Sequence, residues 1–528
     1  MPVSYIMLRA ILASRNIVFW DEFETALELI LKLDAGAGPL EILGRFFALT
    51  NEHRIVMSRL LFAASYWITG SINFHVVGAI GNLCLIAACV RLVAAAGAWS
   101  RGLRLGAVLA LLIFQLENFE NFLWSGASID HFQVVMHAVA AIAAAARGSR
   151  AALLAGMLWA TLASFTLVHG CLVWPVGAFL LAHERRWRHL AIWSALGLAV
   201  LAAFFHDFEV NPAHRLQGFG LITIGRVALY WLALLGGPPA FGSPVVAPVF
   251  GLLLLATLAF LGATGAARRE PTFFFVALYA TGALALVAVG RVDLAGNQLG
   301  SRYLILGSLA WAVVIFMLLE RDAAKAPRRL LWALPVLAAF NLAASLAFLP
   351  QADYLAEARD RAASRFLQNG DDTHKAERLH PQPGRARALL ELAAQRGVYV
   401  LPRLCDSRVF VQAQPSTRIL GHIDERTVSD RAVYLGGWAA IPEQTTARGQ
   451  IHVVLHSEEC ELVLTTLSVQ RPDVANAHRE PRWLRCGFRF VVPRSQLPAG
   501  DFQIGLLIEN GGSAEYWMTS ERLSLGAK

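Results

Sequence analysis

Two polar clusters near the start of the chain carry residue types that could do chemistry. Asp21, Glu22 and Glu24 follow Trp20, and Glu52, His53, Arg54 and Arg59 close the polar stretch from Asn16 to Leu60. A carboxylate beside a membrane surface can deprotonate or orient an acceptor hydroxyl held within hydrogen-bonding reach. Asp21 and Glu22 adjoin, so they need not face the same way. The competing reading is that these acids cap the first turn of a helix from Phe23 to Leu33. Arg54 and Arg59 carry guanidinium forks that match a phosphate or pyrophosphate, unless they snorkel toward anionic head groups.

Three later groups add to these. Glu117, Glu120, Asp130 and His131 flank a segment whose aromatics Phe119, Phe122 and Trp124 suit an interfacial belt. His169 stands in a short polar break, where a structural hydrogen bond competes with a catalytic role. Arg291 and Asp293 open, and Arg302 and Tyr303 close, the most polar of the late connections. Arg302 begins an apolar run, so its charge must face a polar cavity or the interface. Phosphate ligation and interfacial anchoring are its two readings.

The elements that position these residues are apolar. The chain has 528 residues, 56% hydrophobic and only 16% charged, which excludes an ordinary soluble globular protein. About 20 apolar residues cross a bilayer core, and the runs predict spans near 73–97, 103–118, 128–147, 150–167, 171–183, 188–206, 244–265, 271–290, 302–319 and 327–349. Phe23–Leu33 and Leu40–Leu49 are short amphipathic patterns suited to a membrane surface. The segment 5–12 is apolar but too short to span, and Arg9 and Arg15 interrupt it. It reads either as an interfacial helix or as the remainder of a first transmembrane helix whose upstream part is missing. Leu221 to Phe241, broken by Gly236-Gly237-Pro238-Pro239, reads as a surface or re-entrant helix.

Arginines and lysines cluster in alternate connections: Arg101/Arg104, Arg147/Arg150, Arg185/Arg186/Arg188, Arg268/Arg269 and Arg321/Lys325/Arg328/Arg329. The positive-inside rule puts these in the cytoplasm, and hence 21–72, the loops bearing His169 and Arg302, and everything after Leu349 outside. The net charge of +8 comes largely from such clusters, which argues against nucleic-acid binding. After the spans, 351–428 is a charged, partly helical connecting region. From about 429 to 528 short alternating strands predict an all-β sandwich. Cys84, Cys89 and Cys171 lie in apolar runs, whereas Cys405, Cys460 and Cys486 are in the polar third. Cys460 and Cys486 could pair if that third is exported.

Taken together, Trp20-Asp21-Glu22, the surface helices up to Thr69 and the multispan core resemble the GT-C superfamily of membrane glycosyltransferases. Shorter pieces resemble an uncharacterised bacterial branch: Asn51-Glu52-His53-Arg54, Glu120-Asn121-Phe122-Leu123-Trp124, His169-Gly170-Cys171-Leu172-Val173-Trp174-Pro175 and Ser301-Arg302-Tyr303. The resemblance implies an α-helical polytopic protein of about 10–11 transmembrane helices over 1–350, in the bacterial inner membrane. It implies transfer of a sugar, with inversion, from a polyprenyl-phosphate donor to a glycan or lipid-linked acceptor on the outer face. The family acid maps to Asp21, or to Glu22 in the other register. Glu52, His53, Arg54, Arg59, Glu120, His169, Arg291, Arg302 and Tyr303 are the candidate substrate-binding residues. No cofactor is expected, with a divalent cation on Asp21 and Glu22 as the alternative. A scaffold or transporter without chemistry, and a polysaccharide polymerase or ligase, are the competing functions. The C-terminal module resembles a β-sandwich attached to bacterial glycosyltransferases, through Gly437-Trp438-Ala439, Arg471-Pro472-Asp473-Val474, Cys486-Gly487-Phe488 and Ala499-Gly500-Asp501. Trp438 is expected to pack that sandwich, with glycan binding as its other role.

Overall fold

The computed structural model describes residues 2–211, 216, 218, 220–294, 298–369, 378–399, 413–429, 432–442, 444, 450–457, 461–494, 497, 499–510 and 513–526. Cys405 and Cys460 lie outside the described residues. The chain is mostly helical, 65%, and divides into two compact units. The first is Met1–Glu357 with Glu391–Val400, and the second is Ala358–Leu390 with Leu401–Lys528.

Each apolar run of the first unit is helical. Among the described residues six helices are long and apolar enough to cross a membrane: Phe74–Ala95, Ser125–Arg147, Trp187–Phe205, Pro271–Arg291, Ser301–Glu320 and Ala326–Arg359. Arg150–Ser164, Val168–His183, Leu221–Gly236 and Ala247–Ala263 are apolar but shorter. The run expected as one span over 103–118 is instead broken, with Trp99–Leu112 and Leu116–Leu123 meeting at 59°. The cause is local. Gln115 Nε2 donates to Leu112 O at 3.1 Å, and Asn118 Nδ2 to Ile113 O at 3.3 Å. Asn341 Nδ2 donates to both Leu111 O and Phe114 O, at 2.8 and 2.9 Å. Side-chain amides thus take the carbonyls that a continuing helix would use.

Leu221–Gly236 does not lie apart on a surface. It packs on Ala247–Ala263, Pro271–Arg291 and Ser301–Glu320. A Cβ on Gly236 would come within 1.8 Å of Ala247 O, and one on Gly251 within 2.0 Å of Leu232 O, so the two backbones touch. Trp231 and Trp311 add indole bonds to Thr281 O and Leu235 O, at 2.8 and 3.0 Å. At the N-terminus Pro2–Ala13 is a helix whose Ile6 and Ala10 join the main core.

The boundary expected at 350 falls inside a continuous helix, Ala326–Asn369. Residues 396–399 return to the polar N-terminal stretch. Tyr399 Oη donates to Asn16 O at 2.9 Å and accepts from Val18 N at 3.1 Å, and Ile72 N donates to Val398 O at 2.9 Å. Burial raises the Tyr399 phenol well above its ordinary range.

Aromatic packing fixes the turn that carries His169. Trp174 and Trp193 pack with ring centres 4.9 Å apart and planes tilted by 55°, Trp193 Nε1 donates to Trp174 O, and Trp174 Nε1 donates to Ser164 Oγ. Gly170 presses on the preceding helix so closely that a Cβ would lie 1.9 Å from Ala163 O.

In the second unit, β1 (Gln414–Pro415), β9 (Ser513–Leu525), β8 (Gly500–Asn510), β4 (Gln450–His456) and β5 (Glu461–Thr465) form one sheet in that order. The other sheet runs β2 (Leu420–Val428), β3 (Ala432–Ala440), β7 (Gly487–Pro493) and β6 (Leu467–Val469). Their inward residues share one core, including Val433, Leu435, Val453, Phe488, Phe490 and Leu506. Trp438 points away from that core and packs with Val474, Trp483 and buried Cys486. Asp473, in the helix Pro472–Ala477, binds Arg471, whose hydrogen bonds and charge hold its carboxyl down to about 2. Burial pushes the Cys486 thiol up to about 11.

The close approach at Gly170 yields a direct test. Gly170→Ala should lower thermal stability in detergent by about 1–3 kcal/mol, the usual overpacking cost. Gly44→Ala, inside the helix Pro39–Phe47 where a Cβ meets nothing within 4 Å, should leave it unchanged or raise it by up to about 1 kcal/mol. Equal melting of the two variants would contradict the packing described.

Candidate functional site

One cavity of about 850 Å³ in the first unit is lined by Asp21, Glu22, Glu52, His53, His169, Arg291, Arg302 and Tyr303. These are eight of the eleven residues singled out in the sequence, spread over four separate stretches of chain. Arg54, Arg59 and Glu120 are not on its wall.

Trp20 adopts a left-handed backbone (φ 50°), a conformation uncommon outside glycine. Directly after it, Asp21 is exposed on the cavity wall and Glu22 is buried at 1%. Glu22 Oε2 accepts from Phe19 N at 2.8 Å; Oε1 accepts from Gly126 N at 2.6 Å and from the Ser125 hydroxyl. Three donors engage this carboxylate, which staples the turn at Trp20 to the start of helix 125–147. The two acids therefore have different environments: Asp21 faces the cavity, and Glu22 holds the frame.

The second cluster is built around a tight turn. Thr50 and His53 exchange backbone bonds at 2.9 and 3.0 Å, with Asn51 left-handed between them (φ 51°). His53 Nδ1 accepts from Val168 N at 3.3 Å, so a neutral ring carries its proton on Nε2. Glu52 Oε1 accepts from Asn211 N at 3.2 Å, and Asn51 Oδ1 from Asn211 Nδ2 at 2.9 Å. This draws the segment 208–211 beside the cavity.

Arg54 and Arg59 take neither of their expected roles. Arg54 donates to Phe204 O at 2.7 Å, Phe47 O at 2.6 Å and His206 O. Arg59 donates to Phe46 O at 2.9 Å, Ala48 O at 2.6 Å and Thr50 Oγ1 at 2.7 Å. Both are buried, at 9% and 4% exposure. They tie together the otherwise unsatisfied carbonyls at helix C-termini. Burial lowers the Arg59 guanidinium to about 10, against the opposing pull of Asp130.

Glu120 likewise works behind the wall. Its Oε2 accepts from Arg302 N at 3.0 Å, at the first turn of helix 301–320, where a carboxylate complements the helix dipole. Asn121 Nδ2 donates to Arg302 O at 3.0 Å, and Ser301 Oγ to Glu117 O at 2.6 Å. With its backbone fixed, Arg302 lays its guanidinium 5.5 Å from the Trp124 ring centre and 5.3 Å from that of Tyr303. Among the described residues no carboxylate forms a salt bridge with it. Its charge lies near two ring faces, with Glu120 and Asp21 acting on it at longer range.

The residues missed as site members are Asp130 and His131, which were noted only as flanking a loop. They sit in a widened π-type turn, Ser128–Phe132, and both line the cavity. Asp130 accepts from the Ser58 hydroxyl, and His131 stacks on His169 at 6.4 Å. Such turns are frequent at functional sites. The available signal was an acid and a histidine at the start of an otherwise apolar run.

The far ends of the same helices carry a different kind of cluster. Glu320 accepts from Arg104 at 2.5 Å and Arg101 at 3.1 Å, and Arg101 also reaches Glu270 at 2.5 Å. From Arg302 to Glu320 the helical rise amounts to about 27 Å. The unit thus has a basic end with paired charges at Glu270 and Glu320 and, about 27 Å along helix 301–320, an end where a cavity gathers acids, histidines and arginines.

No group of three or more His, Cys, Asp or Glu among the described residues is placed to hold a metal ion. Glu22 is engaged by three donors, whereas Asp21 stands exposed beside it. Comparison with protein-family models, with curated proteins and with solved structures finds no match to this chain.

Arg59→Lys separates framework from ligand. It keeps the charge but loses the fork across Phe46, Ala48 and Thr50. Stability should fall by about 1.5–3 kcal/mol in thermal unfolding, with affinity for lipid phosphate unchanged. Unchanged stability with lost phosphate affinity would return Arg59 to the ligand set.

Proposed function

We propose that the chain is a membrane glycosyltransferase that moves a sugar from a polyprenyl-phosphate donor to a cell-envelope acceptor, a glycan or a lipid-linked glycan. One observation carries this reading: a single cavity collects an exposed carboxylate, two arginines and three histidines from distant parts of an apolar, multi-helix unit. Cleavage of a glycosyl–phosphate bond needs a base for the acceptor and positive charge for the leaving group. Those are the residue types on the wall.

In this scheme Asp21 accepts the proton of the acceptor hydroxyl as its oxygen attacks the anomeric carbon. The bond from that carbon to the phosphate oxygen breaks, and its electron pair leaves with the phosphate. Arg302, with Arg291, faces the departing oxyanion; fixed charges in a partly dry site stabilise it without reorganising. His53 lines the same space. Attack from the side opposite the phosphate would invert the anomeric centre. The shorter apolar helices complete a ten- to eleven-span GT-C-like core in this reading. The cavity opens on the outer face of a bacterial inner membrane, and the arginine-rich connections face the cytoplasm.

The test is sugar transfer from a panel of polyprenyl-phosphate sugars by the purified native protein, Asp21→Asn and Arg302→Ala. The native protein should transfer at least one sugar, and Asp21→Asn should lose about 10²-fold or more in rate with its thermal midpoint unchanged. Arg302→Ala should lose a comparable factor. Lipid binding without turnover across the panel would overturn the enzyme in favour of a scaffold or transporter.

A further inference from the structure

The wall of the cavity is not polar throughout. Leu286, Val289 and Gly290 line it from the last two turns of helix 271–291. Their spacing, i, i+3 and i+4, puts them on one face of that helix. Leu286 and Val289 are 39% and 43% exposed, whereas Ala283, Leu284 and Ala288 on the same helix are fully buried. A Cβ on Gly290 would meet nothing within 4 Å, so there is room beside this apolar stripe. Phe208, Val210 and Leu216 add apolar wall to the same cavity. Apolar faces covered by bulk lipid are ordinary in a membrane protein, but this one belongs to the cavity that holds Asp21 and Arg302.

Charge stands at one end of the stripe. Arg291 follows Gly290 directly and lines the same cavity. Arg291 and Arg302 both act on His131 and on Tyr230 at longer range, so the two cations share one part of the wall. Asp293, two residues on, is engaged by Arg226 at 2.5 Å. In the other direction Leu286 lies about 7–8 Å of helical rise from Arg291, along the apolar length of the helix. An accessible apolar wall gains free energy when an apolar chain covers it, and guanidinium forks match a phosphate. A soluble nucleotide sugar has no apolar chain to lay on such a stripe. The pattern fits an amphiphile with its phosphate at the arginines and its tail running toward Leu286.

We propose that Leu286, Val289 and Gly290 seat the isoprenoid chain of a polyprenyl phosphate whose phosphate lies at Arg291 and Arg302. The choice of a polyprenyl chain rests on the glycosyltransferase reading. The proposal adds where the carrier lies and along which face of helix 271–291 it reaches the cavity.

The experiment uses the full chain in phosphatidylcholine nanodiscs and undecaprenyl phosphate without a sugar, bearing a diazirine in its first isoprene unit. Photolabelling should fall on helix 271–291 around residues 286–290. Excess undecaprenyl phosphate should abolish it, whereas inorganic phosphate and phosphatidic acid should not. Gly290→Leu adds bulk where a Cβ has open space, so binding should weaken about tenfold or more with the thermal midpoint kept. Gly225→Leu, inside the helix Leu221–Gly236 and off the cavity wall, also has open space at its Cβ and should bind as the native protein does. Labelling elsewhere, or native binding by Gly290→Leu, would overturn the proposal. Displacement by inorganic phosphate or by phosphatidic acid would overturn it too, leaving a phosphate site or a general lipid site. Labelling at 286–290 without sugar transfer from any donor would keep the chain's seat and remove the transferase. Transfer with the label elsewhere would do the reverse.

Discussion

The site depends on one buried carboxylate. Glu22 accepts from the backbone at Phe19 and Gly126 and from the Ser125 hydroxyl, and so locks the turn at Trp20 onto the start of helix 125–147. Hydrogen bonds to an ionised acceptor are stronger than neutral ones, and leaving such a group buried and unmatched would be costly. The lock holds a left-handed tryptophan in place and sets the direction of Asp21. It also brings that turn against the helix that supplies Asp130 and His131. Asp21 stands exposed at the cavity while its neighbour, also on the wall, is tied to the frame.

The same division of labour recurs around the cavity. Arg54 and Arg59 fasten helix ends, Glu120 caps helix 301–320, and Asn51 and Glu52 hold the segment at Asn211. Each removes an unsatisfied backbone group in surroundings where water offers little help. What remains on the wall is a smaller set: Asp21, His53, Asp130, His131, His169, Arg291 and Arg302. Those side chains have frames behind them, which is how a binding geometry is kept in register.

Much of this was legible in the sequence. Apolar runs about as long as a bilayer core announced the helices, and alternating strands announced β3, β4, β7 and β8. β2 was not visible because its residues are mostly exposed and lack alternation. The break at 113–115 was hidden because its cause is amide side chains, one of them Asn341 from far along the chain. The polar residues around the cavity were visible as a group, but their individual roles were not. A guanidinium bound to carbonyls and one facing a ligand have the same sequence signature. Telling Arg59 from Arg302 required knowing where carbonyls ended unsatisfied. Asp21 and Glu22 were interchangeable for a similar reason: the left-handed turn at Trp20 that separates them leaves no mark in residue type.

The central claim is that donor phosphate and acceptor carboxylate meet in the cavity between Arg302 and Asp21. An electron cryo-microscopy structure with a non-hydrolysable polyprenyl-phosphonate sugar bears on it most directly. The account predicts density for the phosphonate against the Arg302 guanidinium and for the sugar between it and Asp21, with Arg54 and Arg59 still on their carbonyls. A head group bound elsewhere on the helical unit, with this cavity empty, would contradict it.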